Sequence, residues 1–154
     1  LLNAVKDLNA IVTIVGDGPD REHLEKIKSP NVQLVGAKNH QEVQRLYQEN
    51  DLFVLASYAE GLPVVLMEAM ASGLPVITTT VNAITELVEN GKTGLLVAPS
   101  NSEQLKEKIQ YAISHPEDMG KMAEEARKKV KESFNIDKNI DRLALYLREK
   151  ICLL

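Results

Sequence analysis

A chain of 154 residues is one domain's worth of sequence, and 44% hydrophobic with 26% charged residues places it with ordinary globular chains rather than disordered ones. Aromatic residues are 4% and Trp is absent, so the core is expected to be aliphatic; the net charge of -4, from 18 basic against 22 acidic residues, argues against a nucleic-acid partner or a polybasic membrane surface. The single cysteine, Cys152, excludes an intrachain disulfide framework and a cysteine-rich metal site, and suits a reducing compartment.

Leu1 to Leu8 carries apolar residues at 1, 4, 5 and 8, the spacing of a helix face, with neither the basic start nor the long apolar stretch of a signal peptide. A chain that opens mid-helix without Met reads as a fragment of something longer. Ala10 to Val15 reads as a strand ending at Gly16, and Pro19 to Lys28 as a helix with acidic residues in its first turn. Val32 to Val35 is a short strand before Gly36. His40 to Asn50 is an amphipathic helix carried by Val43, Leu46 and Tyr47. Leu52 to Ala56 is a strand, Pro63 to Ser72 a helix stopped by Gly73, and Pro75 to Thr78 another strand. A short helix follows near Ala83 to Glu89, then a turn at Gly91 and a fifth strand over Gly94 to Val97.

From Ser102 the pattern is helical, first with a stripe of Leu105, Ile109, Ala112 and Ile113. Met119 to Glu132 is charged, with Glu124–Lys128 and Glu125–Lys129 spaced for exposed pairs. The last helix lines one face with Ile136, Ile140, Leu143, Ala144, Leu147 and Ile151. No apolar run approaches the ~18 residues needed to cross a bilayer. Nearly continuous apolar strands alternating with helices imply a parallel sheet covered on both sides, with ligands taken at the strand carboxyl ends.

Several motifs fail when tested. Gly16-Asp17-Gly18-Pro19 resembles half of a dinucleotide fingerprint, but the third glycine position holds Arg21; a tight strand-to-helix turn remains. Gly91-Lys92-Thr93 imitates the end of a phosphate-binding loop, yet Glu86 stands where the first glycine belongs and a strand follows, not a helix. His23, His40 and His115 lie in or next to surface-type helices at no ligand spacing and read as solvated. Neither H-E-x-x-H nor D-x-D occurs, so a metal site has no support.

The segment from Ser57 to Pro75 is the informative one. Pro63 suits a first helical position, which leaves the amides of Val64 and Val65 facing out of a helix N-terminus that favours an anion. Gly61 removes the side chain that would block its approach. From Pro63 to Ala71 every residue except Glu68 is apolar, so the helix is expected to be buried nearly all round. A carboxylate there needs donors. They come from a core Lys or Arg, from water, or from the hydroxyls of a ligand such as a ribose.

Glu60 and Glu68, in EGLPVVLMEAMASGLPVI, form an E-x7-E pattern that resembles the signature of the group 1 retaining glycosyltransferases of GT-B fold. IVGDGP at 14–19, NVQLVG at 31–36, DLFVLASYAEG at 51–61 and ELVENGKTGLLVAP at 86–99 agree in order, so the resemblance covers nearly the whole chain. It implies an α/β, Rossmann-like domain, the C-terminal donor-binding half of GT-B, with a helical tail from about residue 102. It implies a nucleotide-sugar donor, an acceptor bound by an N-terminal domain, and transfer with retention. No cofactor and no essential metal follow from it.

Residue by residue, Glu68 would bind the ribose. Glu60, the catalytic position, would contact hydroxyls of the transferred sugar. Gly61, Leu62, Pro63, Val64 and Val65 would approach the sugar and diphosphate. Ala37 and Lys38 would lie beside the base, and Gly16 and Gly18 would border the phosphate pocket. The full-length protein is expected in the cytoplasm, with peripheral membrane association allowed.

Three departures stand out. The strand and basic turn that open this domain in the family are missing, so the sheet is expected to show a gap, a strained pairing or a borrowed strand between its first and third strands. The N-terminal domain is missing too, so the isolated chain is not expected to transfer sugar. Asn82-Ala83 stands where the family usually has Gly-Gly. A non-catalytic nucleotide- or sugar-phosphate-binding module, or a structural domain in which protein satisfies Glu68, is the alternative.

Overall fold

The computed structural model describes residues 1–81 and 83–151. Asn82 and Cys152 lie outside the described residues, as do the side chains of Ile136 and Ile151. The chain runs α1 (Leu2–Val5), β1 (Val12–Ile14), α2 (Arg21–Ile27), β2 (Val32–Leu34), α3 (His40–Glu49), β3 (Phe53–Leu55) and α4 (Val64–Ser72). It continues with β4 (Val76–Thr79), α5 (Ile84–Leu87), β5 (Leu95–Val97), α6 (Ser102–Ser114), α7 (Pro116–Ser133) and α8 (Ile136–Ile151).

Every strand pairing is parallel, as the apolar runs require. β1 pairs with β2 (Val12 opposite Val32), while β4 lies between β3 and β5, with Phe53 opposite Val76 and Ile77 opposite Leu95. The five strands form two hydrogen-bonded sheets, β1-β2 and β3-β4-β5, with no pairing between β1 and β3. Of the three arrangements expected between the first and third strands, a gap, a strained pairing or a borrowed strand, the structure has the gap.

Alternation along the strands builds a core on each face. Val54, Ile77, Leu95 and Val97 pack with Val12, Ile14 and Val32 against α1 and α6, through Val5, Leu105 and Ile109. That shared cluster joins the two sheets although no ladder does. On the other face Phe53, Leu55, Val76 and Leu96 meet Leu66, Met70, Ile84, Leu87, Ala126 and Val130 from α4, α5 and α7. β4 is the middle strand, and all four of its residues are buried.

Two local devices close the fold. The Asn31 side-chain amide donates to the carbonyls of Val5, Leu8 and Ala10 at 3.0, 3.3 and 3.0 Å, tying α1 to the start of β2. At Gly94, φ is +158° and a Cβ would stand 2.6 Å from Val76 Cγ2 and 2.9 Å from the Val76 carbonyl oxygen. Beside it, buried Thr93 accepts a hydrogen bond from the Glu89 amide. The phosphate-loop look-alike is therefore a structural turn.

The tail departs from the expected surface pairing. Lys128 reaches back three residues to Glu125, and Lys129 crosses to Glu89 at 2.9 Å, where Lys92 also binds. In α6 Leu105, Ile109 and Ala112 are buried, but Ile113 is exposed; on α8 Ile140, Leu143 and Leu147 are exposed.

Candidate functional site

The unusual residues gather where strands end. Gly16 follows β1 and Gly36 follows β2, and the Gly16 amide donates to the Gly36 carbonyl at 2.9 Å. Both glycines have positive φ, +134° and +73°. The Asp17 carboxylate accepts from the Gly18 amide, and the tight turn falls at residues 19–20, closed by the Arg21 amide donating to the Gly18 carbonyl at 3.1 Å. A Cβ at Gly16 or Gly18 would meet no protein atom within 4 Å, and both border a hollow of about 270 Å³ that Pro19, Arg21 and Leu24 also line.

Beyond β2, Asn39 caps α3 reciprocally. Its side chain accepts from the Glu42 amide while Glu42 Oε2 accepts from the Asn39 amide. Glu42 Oε1 takes the Lys38 ammonium at 3.1 Å. The hydrogen bond from the Asn39 backbone, then Lys38, holds the Glu42 carboxyl below the usual carboxylate range. The Lys38 side chain is thus engaged, and Ala37 beside it is exposed. Lys38 lines a second hollow, of about 290 Å³, with Arg45 and Glu49. Neither hollow is lined by Glu60 or Glu68.

The loop after β3 is braced from β4. Thr79 Oγ1 donates to the Ser57 carbonyl at 2.7 Å, and Ser57 Oγ donates to Glu60 Oε1 at 2.6 Å. Glu60 is thus tied to its own loop. A Cβ at Gly61 would meet no protein atom within 4 Å. Pro63 is the residue before α4, in extended conformation, not its first helical residue. Leu66 and Met67 donate back to its carbonyl, which leaves the amides of Val64 and Val65 ahead of the helical ladder. Among the described residues no side chain caps this helix end.

α4 is not buried all round. Leu66, Ala69 and Met70 are buried, whereas Val64 is 61% and Val65 42% exposed. The helix packs on α7, on the sheet and, through Tyr47, on α3, while the Val64 and Val65 side chains of its first turn stand open. Glu68 is half-buried, with 31% of its side chain exposed, less enclosed than an all-apolar helix suggests. Its two oxygens face different residues of α3. Tyr47 donates to Oε2 at 3.3 Å, and His40 Nδ1 stands 3.6 Å from Oε1. Among the described residues no Lys or Arg bridges it. Burial first, then the Glu68 charge, pushes the Tyr47 phenol up to about 12, so it remains a donor across the neutral range.

Tyr47 and His40 are the residues that sequence reasoning missed. Tyr47 reads as core and His40 as solvated; His40 is exposed, but it stands against Glu68. Only the fold brings α3 to α4, and no local spacing announces it. Among the described residues no three His, Cys, Asp or Glu side chains gather as a metal-binding group, and no helix is long and apolar enough to cross a membrane.

A parallel α/β domain with glycine turns at its strand ends and an uncapped helix behind them has the build of the Rossmann-like class. The chain belongs to the group 1 glycosyl transferases, whose family model matches residues 1–129. An uncharacterized glycosyltransferase of Methanocaldococcus jannaschii is 32% identical over 142 residues, 90% of this chain and 40% of that protein. Sucrose-phosphate synthase from Thermosynechococcus elongatus superposes with a TM-score of 0.87 at 25% identity, over 99% of this chain and 42% of the other. Anabaena HepE, crystallised with UDP and glucose, gives a TM-score of 0.83 at 22% identity over 95% of this chain and 42% of its own. The fold is that of the C-terminal part of a GT-B glycosyltransferase. The chain spans about two fifths of the length of these proteins.

Proposed function

We propose that this chain is the donor-binding half of a retaining glycosyltransferase of hexosyl type, which moves a sugar from a nucleotide-sugar to an acceptor held by a second domain. The observation that carries the reading is Glu68. It is a half-buried carboxylate whose protein contacts, at 3.3 and 3.6 Å, are long for a charged hydrogen bond. Unfilled capacity of that kind suits two vicinal ribose hydroxyls.

The remaining groups fall into place around the same ligand. The diphosphate lies at the start of α4, where the amides of Val64 and Val65 and the helix dipole favour negative charge and Gly61 leaves room. Gly16 and Gly18 border the phosphates, and backbone at Ala37 and Lys38 lies beside the base. Glu60, oriented by Ser57, contacts hydroxyls of the transferred sugar. The complex of the Anabaena neighbour with UDP and glucose supports a nucleotide-sugar donor. The leaving phosphate activates the acceptor hydroxyl on the face that it departs from, which gives retention without a protein nucleophile. No metal is assigned a role.

The test is a pair of calorimetric titrations on the full-length protein, with UDP-glucose and with UDP. Glu68→Gln should weaken both alike, by roughly tenfold to a hundredfold, the worth of one charge-assisted hydrogen bond. Glu60→Gln should weaken the nucleotide-sugar and leave UDP unchanged. If Glu68→Gln melts the protein without changing the affinity of what stays folded, the ribose role is lost.

A further inference from the structure

Two residues face Glu68 from α3, Tyr47 and His40. Tyr47 is buried, and its ring packs edge-on against Phe53 of β3 with centroids 5.9 Å apart. That packing fixes where the hydroxyl stands. The hydroxyl lies between two acceptors on one turn of α4, the Val65 carbonyl at 3.1 Å and Glu68 Oε2 at 3.3 Å. A phenol has one proton to give, so the two acceptors share it. One of them belongs to the exposed first turn of α4 and the other is the carboxylate that we assign to ribose. His40, the first residue of the same helix, stands at the opposite oxygen.

We propose that Tyr47 is a positioning residue for ribose recognition: its hydroxyl holds Glu68 Oε2 and so presents the carboxylate to the sugar edge of the nucleotide. The proposal rests on the ribose role of Glu68 and deepens it. A carboxylate on a helix can swing through several rotamers, and a hydrogen bond from a ring locked in the core selects one of them. Selection before binding removes an ordering cost that the ligand would otherwise bear. The phenol suits this task because burial keeps it protonated far above neutrality. His40 is a solvent-facing imidazole whose other ring nitrogen meets the exposed Gln44 side chain at 2.9 Å, and no core packing holds it.

The test uses the full-length protein with UDP, GDP and ADP, each beside its 2′,3′-dideoxy counterpart. Whichever of the three binds most tightly is carried forward. Tyr47→Phe keeps the ring against Phe53 and removes only the hydroxyl. It should lower affinity for the ribonucleotide by about threefold to tenfold and leave the dideoxy form unchanged, so that discrimination between them shrinks. In a Glu68→Ala background the same change should have no further effect, because Tyr47 acts through Glu68. In the unaltered protein, the 13Cζ signal of Tyr47 should move when the ribonucleotide is added and stay in place with the dideoxy form.

Equal loss for both ligands, or a Tyr47 signal indifferent to the ribose hydroxyls, would overturn the positioning role in favour of simple core packing. If the wild-type protein does not discriminate ribose from dideoxyribose, or Glu68→Ala leaves that discrimination intact, then the ribose reading of Glu68 has failed. That outcome is distinct from a silent Tyr47→Phe in a protein that still discriminates.

Discussion

Gly61→Ala separates a glycine kept for a ligand from one kept for the fold. Its φ lies outside the left-handed range, and a Cβ there would meet no protein atom within 4 Å. Nothing inside the protein resists the methyl group. The reduced freedom of the unfolded chain should leave stability unchanged or raise it by ~0.4–1 kcal/mol. Binding should respond differently, because the methyl stands beside the start of α4. Loss of one hydrogen bond to a charged group, ~1.5–3 kcal/mol, corresponds to roughly tenfold to a hundredfold weaker UDP affinity. Gly94→Ala is the counterpart. A methyl 2.6 Å from Val76 Cγ2 and 2.9 Å from a backbone oxygen, at φ +158°, must displace β4. Overpacking and backbone strain together should cost ~2–5 kcal/mol. Urea denaturation and calorimetry on both variants make the comparison. If Gly61→Ala binds UDP as the wild type does, no ligand approaches this loop; if it melts like Gly94→Ala, its role is structural.

Asn31→Ala should destabilise by ~1–3 kcal/mol, because three carbonyls lose the side chain that serves them; a urea midpoint unchanged from wild type would contradict this. Hydrogen bonds from Lys92 and Lys129 hold the Glu89 carboxyl down at about 2, against an ordinary 4.5. The depressed value means that its stabilisation is full above 4.5 and is lost as pH falls toward 2. The melting-temperature advantage of wild type over Glu89→Gln should therefore shrink across that window, and a pH-independent difference would refute the pairing.

What the sequence shows and what it hides divide by range. The five strands are legible because each is an apolar run ended by a turn signal, and Gly73 stops α4 as a left-handed cap. The motif glycines and Glu60, Gly61 and Glu68 are legible because they break an otherwise apolar or extended pattern. Hidden features depend on contacts between distant segments. Lys129 pairs with Glu89 and not with Glu125, since α7 passes the turn before β5. Tyr47 carries the pattern of a core residue, and only the packing of α3 on α4 reveals that its hydroxyl reaches Glu68. The exposure of Val64 and Val65 was hidden for the same reason. An all-apolar segment reads as buried, but nothing among the described residues covers the Val64 and Val65 side chains. The absence of pairing between β1 and β3 is one of three outcomes that the family resemblance allows, and periodicity is silent on it.

The central claim is that a nucleotide-sugar binds at the strand ends around the start of α4. Amide chemical-shift mapping of the isotopically labelled full-length protein during titration with UDP-glucose tests it most directly. The account predicts that the largest shifts fall on Gly16, Gly18, Ala37, Lys38 and the stretch from Gly61 to Val65, with Glu68→Gln abolishing them at the same ligand concentration. Shifts confined to α6 and α7, or a Glu68→Gln titration that overlays the wild type, would contradict it.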